Sequence, residues 1–492
     1  MYSPEFDNGY DHFTRWNCVL RELRMKDAGH PSGNRAIDST QERLTRYACD
    51  LTYNGITDEA VHAAKVRVID TLGALVAGFF SEPARIARNL AAQMADSSGA
   101  TVIGTRLKTT PDMAAFVNGT TQRYIELTDS YHWPGSYGGH PSDVVTPVLS
   151  AAEYAQLAGR ELITNIVLAY EIYLRFNDAF RNQGFDHTNL CCLATAVAAG
   201  KGMGLSPTQL SHCISMAIVP NNALRISRVG HLSMWKVTAS GQAGRAGVFA
   251  ALLARAGMEG PHLPFEGKSG WFDHVALERF PLKLMGGNGT PFKIKDTSIK
   301  LRPSVGVGIP SILAAEKLAP LKNINDVKAI TVEVYKRAFD EIGADKHHWH
   351  PDSKETADHS AAFLVAVTLI DGMVTPRSFN DAHLRNPELH ALMQKIRVIE
   401  NPEFTQAYGR IPVQQRARVT VEMNNGERRM AEPEGSLDDL ASPKTNDQIS
   451  EKFRGLTEDV LGRKRVDALL DRLWHLEDIE NVAEIPAAFV FD

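Results

Sequence analysis

The apolar pattern of this chain changes period twice, so the chain has to build two kinds of layer. Behind the helix start Thr57-Asp58-Glu59, the residues Val61, Ala64, Val68 and Leu72 recur at helical spacing. "GLSPTQLSHCISMAIV" (204–219) follows the same logic, with Ser206 as N-cap and Pro207 at the first helical position, where a missing N–H costs nothing. Alanine-rich, glycine-dotted segments at 149–158, 191–203 and 238–257 predict closely packed helices, because small side chains let backbones approach. The period then switches. "VKAITVEVYK" (327–336) alternates as a strand does, and "ARVTVEMNNGERRM" (417–430) reads as strand, Asn425-Gly426 turn and return strand. From about 441 amphipathic helix resumes. The expectation is a mainly α protein with an inserted α+β domain: a polar N-terminal extension (1–40), a large helical domain built from both ends of the chain (41–295 and 441–492), and a smaller α+β lid (296–440).

A chain of 492 residues allows two or three domains and a large core. Hydrophobic residues at 43% and charged residues at 23% give a globular composition, and a net charge of −5 gives no reason to expect nucleic acid or a membrane surface as partner. The longest apolar stretches, such as "NLCCLATAVAAG" (189–200), fall short of the roughly 18–20 residues of a spanning helix. The first 35 residues lack a secretory pattern, which leads to a cytoplasmic expectation. Five cysteines without a C-x-x-C pair argue against a disulfide framework, and Cys191-Cys192 reads as buried free thiols.

Three stretches could carry chemistry. "RYIELTDSYHWPGSYGGHPSD" (123–143) sets Glu126 and Asp129 three apart and follows them with a Gly/Pro loop to His140: a proton acceptor and donor set, or a solvated loop. "LRISRVGHLSMWK" (224–236) carries Arg225, Arg228, His231 and Lys236, which suit carboxylates or simply form a basic face. "IKDTSIKLRPS" adds Lys295, Lys300 and Arg302 beside the expected domain boundary, where small-molecule sites tend to form. "HHWHPDSKETADHS" invites a metal, yet His347, His348 and His350 lack helical ligand spacing and have no cysteine nearby, so no metal site is expected. "GGNGTP" (286–291) matches no nucleotide motif.

With these residues in view, the chain resembles the MmgE/PrpD family of 2-methylcitrate dehydratases and cis-aconitate decarboxylases over about residues 41–490. The resemblance rests on "RYIELTDSY…GGHPSD", "GFDHTNL…AAGKGMGLS", "LRISRVGHLSMWK…AGRAGVFAALLAR", "FEGKSGWFD", the "IK" before "LRPS", and "ETADHS", in the family's order. It implies a helical body with an inserted lid and a homodimer. It makes His140 the active-site histidine and Asp129 and Ser130 family positions beside it. Lys236 and Lys300 become the lysines facing substrate carboxylates, and His187 a further pocket histidine. The chain departs from the pattern in three places. Glu126 stands where relatives carry Asp, the loop before His140 is about two residues longer, and "RPSVGVGIPS" replaces a segment like "YPAEYHSQ".

The implied activity is a cofactor-independent hydro-lyase that dehydrates a 2-methylcitrate-like tricarboxylic acid, with decarboxylase or isomerase chemistry on a related polycarboxylate as the alternative. A noncatalytic carboxylate binder is a third possibility. Proton removal next to a carboxylate needs cations to stabilise developing charge, which gives Lys236 and Lys300, with Arg225 or Arg228, a common pocket. His140 would protonate the leaving hydroxyl, while Glu126 or Asp129 took the carbon proton or fixed the imidazole tautomer. The cysteine count excludes an iron–sulfur route.

Overall fold

The computed structural model describes residues 36–132, 135–410, 413–433 and 443–491. Most of the N-terminal extension, with Cys18, lies outside the described residues, as does Trp133. The helices start where their caps dictate. Thr57 accepts a hydrogen bond from the Ala60 N–H and opens α1, Asp58–Gly78. The elements that frame the site follow: α2, Pro111–Arg123; β1, Asp129–Ser130; α3, Val145–Tyr154; α4, Gly159–Ala179; α5, Thr188–Gly202; α6, Pro207–Ile218; and α7, Trp235–Arg255. At the start of α6, Ser206 and Gln209 form the reciprocal capping box. The helix expected over 149–158 instead ends at Tyr154, because the chain turns at Gln156, which takes φ +54°.

Close approach between helices decides what meets at the site. α7 packs on α2 and α5. At the α2–α7 crossing a Cβ on Gly119 would come within 2.9 Å of the Gly241 Cα, so only glycine lets the two axes approach this far. Arg123, one turn on in α2, and Lys236, just over a turn back in α7, are thereby brought toward the same point. The short β1 pairs antiparallel with β2, Ser298–Ile299, in the register Asp129↔Ile299 and Ser130↔Ser298. That ladder delivers Lys300 to the same place.

After β2 the chain forms α8, Ile309–Glu316; β3, Val327–Val334; α9, Lys336–Ile342; α10, Lys354–Ala357; α11, Ala361–Asp371; β4, Ile396–Glu400; β5, Ala417–Met423; and β6, Arg428–Ala431. The sheet order is β4-β3-β5-β6, with β3 parallel to β4 and antiparallel to β5. β5 and β6 form the hairpin expected at Asn425-Gly426, where Gly426 takes φ +89°. α8 and α11 cover the sheet, and Val307 to Met423 supply one buried apolar cluster. The last long helices, α12 (Asn446–Leu461) and α13 (Arg463–Trp474), return to α1. Their Ile449, Phe453 and Leu470 join the cluster that begins at Leu44. The chain is thus mainly helical with a small α+β part. Cys191, Cys192 and Cys213 are buried free thiols. Among the described residues no helix is long and apolar enough to cross a membrane.

Candidate active site

α2 ends on Arg123, and the chain turns back at Glu126 through a left-handed φ of +53°, a conformation a glutamate adopts only where its surroundings hold it. What holds it is charge. The Arg123 guanidinium takes the Glu126 carboxylate bidentately, NH1 to Oε2 at 2.6 Å and NH2 to Oε1 at 3.0 Å. Lys300 donates to Oε1 at 2.9 Å, and Lys236 stands 3.2 Å from Oε2. Lys236 also donates to Asp358 at 2.8 Å, and Lys354 closes the knot on the other Asp358 oxygen at 2.6 Å. Both lysines that face Glu126 are 0% exposed, and Glu126 is 1% exposed. Burial alone would push the Glu126 pKa up, but Arg123, Lys300 and Lys236 hold it well below the carboxylate range. Burial brings Lys300 down to about 8.

His140 lies on the cavity side of this knot. Its Nδ1 is 2.8 Å from the Asp129 carbonyl, which can only accept, so Nδ1 carries the proton. The neutral ring therefore keeps its lone pair on Nε2, 3.3 Å from Glu126 Oε1. Burial, then Arg123 and Lys300, lower the His140 pKa well below the ordinary histidine value, more than Glu126 raises it. Asp129 fixes this tautomer through its backbone carbonyl and not its carboxylate: Oδ1 accepts from the Ser142 N–H and Oδ2 from the Tyr170 hydroxyl, each at 2.9 Å. Its side chain is a structural tie. Behind His140, His187 meets Tyr173 Oη at 3.2 Å and packs edge-on against the His140 ring at 5.5 Å. Burial lowers its pKa to about 3. The loop comes this close because residue 139 is glycine, where a Cβ would sit 2.3 Å from Tyr173 Oη.

His140 and His187 open on a cavity of about 280 Å³ that is also lined by Arg225, Arg228 and, from α9, Arg337. Arg228 donates through Nε to Asp186 at 2.8 Å, and its NH1 and NH2, both buried, find no protein acceptor. That is the arrangement a guanidinium takes when a carboxylate is to be bound bidentately. Ser130 Oγ and His132 Nε2, 2.6 Å apart, form part of the wall. A second cavity of about 550 Å³, lined by Ile226, Trp235 and asparagine side chains, has no carboxylate in its walls. Among the described residues, the His, Cys, Asp and Glu ligand atoms that converge within 4.8 Å are those of Asp143, His187 and Cys191, not the 347–350 histidines. A cation there would face the Arg123 guanidinium, 3.7 Å from Asp143.

The model for the MmgE/PrpD N-terminal domain matches residues 42–282, and that for the C-terminal domain matches residues 303–476. The chain belongs to the MmgE/PrpD family. Among its curated relatives, the mitochondrial 2-methylcitrate dehydratase of Yarrowia lipolytica is 25% identical over 78% of this chain and 76% of its own length. The 2-methylcitrate dehydratase of Cupriavidus necator is 26% identical over 63% and 67%. Human cis-aconitate decarboxylase is 23% identical over 90% and 93%.

In this MmgE/PrpD chain the fold brings His140, Lys236 and Lys300 each against Glu126, with His187, Ser130, Arg225 and Arg228 around the adjoining cavity. The two lysines differ from the sequence expectation in what they face. Their ammonium groups are spent on Glu126 and Asp358, and arginines line the cavity in their place. Sequence reasoning missed Arg123, Asp358, Lys354 and Arg337. Arg123 had a signal, since it stands three residues before Glu126 at the end of a helix, a spacing that pairs side chains. Asp358 sat unnoticed inside the "ETADHS" motif. Arg337 follows a strand and carries no local signal.

Proposed function

We propose that the chain is a cofactor-independent hydro-lyase acting on a 2-methylcitrate-like tricarboxylic acid. The observation that carries this reading is a largely buried histidine, locked as the Nδ1–H tautomer, that presents a free Nε2 between an ionised glutamate and a cavity edged by Arg228, whose NH1 and NH2 have no protein acceptor. Arg228 would bind the substrate carboxylate next to the reacting carbon and stabilise charge as the proton leaves. His140 Nε2 takes that proton. This differs from the donor role expected first, because a histidine held neutral starts as a base. The resulting imidazolium is stabilised by Glu126, which the knot keeps ionised, and then gives its proton to the departing hydroxyl. One carbon–hydrogen and one carbon–oxygen bond break, and water and an alkene form. Lys236 and Lys300 act through Glu126 in this scheme, and Asp129 acts through its carbonyl.

The proposal includes the division 41–295 with 441–492 as body and 296–440 as lid, in which α9 and the C-cap of α10 bring Arg337 and Asp358 from the lid side. A homodimer is part of the proposal. Exposed Ile226 and Trp235, in the wall of the larger cavity, give the body an apolar face for it. Decarboxylation of cis-aconitate is the second reading, favoured by the long alignment with the human decarboxylase. The test is incubation with 2-methylcitrate, citrate and cis-aconitate in turn, following alkene absorbance and carbon dioxide. Alkene without gas supports the hydro-lyase, and gas from cis-aconitate replaces it with the decarboxylase. No reaction with any of the three removes both.

A further inference from the structure

The cavity mouth holds an ion pair that the chemistry above does not use. Arg225 approaches from the 3-10 turn Arg225–Arg228, and Arg337 approaches from α9 on the opposite wall. Glu341, one turn along α9, lies between them: its Oε1 accepts from Arg337 Nε at 3.0 Å and stands 3.8 Å from Arg225 NH2. Each guanidinium is braced from behind. Arg225 NH1 donates to the Tyr137 hydroxyl at 3.4 Å, and Arg337 NH1 donates to the Tyr408 hydroxyl at 3.2 Å. The Arg225, Glu341 and Arg337 side chains are 28%, 26% and 31% exposed, so the bridge stands in partly wet surroundings where an ion pair contributes little to stability and is easily exchanged.

To two arginines, a protein carboxylate and a substrate carboxylate are the same ligand. We propose that Glu341 is a built-in stand-in for the outer carboxylate of the substrate, keeping Arg225 and Arg337 paired across the empty mouth until a polycarboxylate takes its place. The inference rests on the polycarboxylate reading above and adds which residues count carboxylates. Arg228 takes the carboxylate at the reacting carbon, and Arg337 with Arg225 takes the outer one. An acid without an outer carboxylate leaves the Glu341 bridge intact. Since Arg337 and Glu341 belong to α9 and Arg225 to the helical part, exchange also transfers the contact across the mouth from protein to substrate.

The test is calorimetric titration with two unreactive probes, tricarballylate (three carboxylates) and butyrate (one). Removing the competitor in Glu341→Gln should tighten tricarballylate binding about 3- to 10-fold, and removing the receptor in Arg337→Met should weaken it about 10- to 100-fold, with butyrate changed less than about 3-fold in both. Tricarballylate binding that is unchanged or weaker in Glu341→Gln overturns the proposal, because Glu341 then merely orients Arg337. Should that variant fail to fold, Glu341→Asp, which draws the carboxylate back from Arg225, decides the same question by tighter or by unchanged and weaker binding. A wild-type protein that binds neither probe at millimolar concentration defeats the polycarboxylate reading itself, and the stand-in with it. Binding of both probes with no response to Glu341 defeats the stand-in alone.

Discussion

The knot around Glu126 and the arginine rim a few ångströms away both carry charge, and they carry it in opposite ways. In the knot, Arg123, Lys236, Lys300 and Lys354 are buried and each is paired with Glu126 or Asp358. On the rim, Arg228 keeps two N–H-bearing nitrogens unpaired, and Arg225 and Arg337 share one carboxylate at the surface. Charges locked to one another cannot greet a ligand, but they fix the protonation state of whatever they enclose. Charges left open can bind. The difference teaches that cations which look alike in sequence divide into a locked set and an open set, and the proposed function gives protonation control to the first and substrate capture to the second.

Variants can break or sharpen that contrast. The largest effect is expected at the junction of the two regions: His140→Ala should lower kcat about 10²- to 10⁴-fold with KM little changed, as for a positioned acid–base group, measured by steady-state kinetics on the reactive acid. Next, Lys236→Met removes a buried partner from both Glu126 and Asp358 and should cost about 3–5 kcal/mol of stability in denaturant unfolding. Arg225→Met on the rim should cost no more than about 1 kcal/mol in the same experiment. Equal losses would erase the distinction between knot and rim. Arg228→Lys keeps the charge but gives up the two-pronged N–H fork, and should raise KM about 10-fold and lower kcat as well, because the same grip stabilises charge as the proton leaves.

Stability should also depend on pH. His187 and His348 are buried and lowered by burial to about 3, so between about 3 and 6.5 the unfolded chain binds protons that the folded one refuses. Stability should fall by about 1.4 kcal/mol per pH unit for each histidine as pH drops below about 6.5. Asp143, pushed up to about 6 by burial, opposes this between its unfolded value and 6. Thermal melts at pH 7 and 5 check the sign: the lower pH should give the lower Tm.

Much of the fold was legible because its signals are local. Thr57 and Ser206 cap their helices through side-chain oxygens, and Asn425-Gly426 turns a hairpin, each set within a few residues. At the candidate site, residues were easier to name from the sequence than their arrangement. His140, Glu126, Lys236 and Lys300 could be named from their motifs, but which way each side chain faces depends on the Gly119–Gly241 crossing and the β1–β2 register, which join segments more than a hundred residues apart. That is why the lysines looked like substrate anchors and the Asp129 carboxylate looked catalytic. Arg337 and Glu341 are separated from Arg225 by more than a hundred residues and belong to a different part of the fold, so nothing in either segment announces the bridge.

The central claim is that His140 stands ready as a neutral base, protonated on Nδ1 and bare on Nε2, beside an ionised Glu126. Imidazole ¹⁵N resonances of histidine-labelled protein at pH 7, with His140 assigned by the signal missing from His140→Gln, test it most directly. The account predicts one protonated and one unprotonated nitrogen that stay so down to well below pH 6.5. A doubly protonated ring at pH 7 would contradict it.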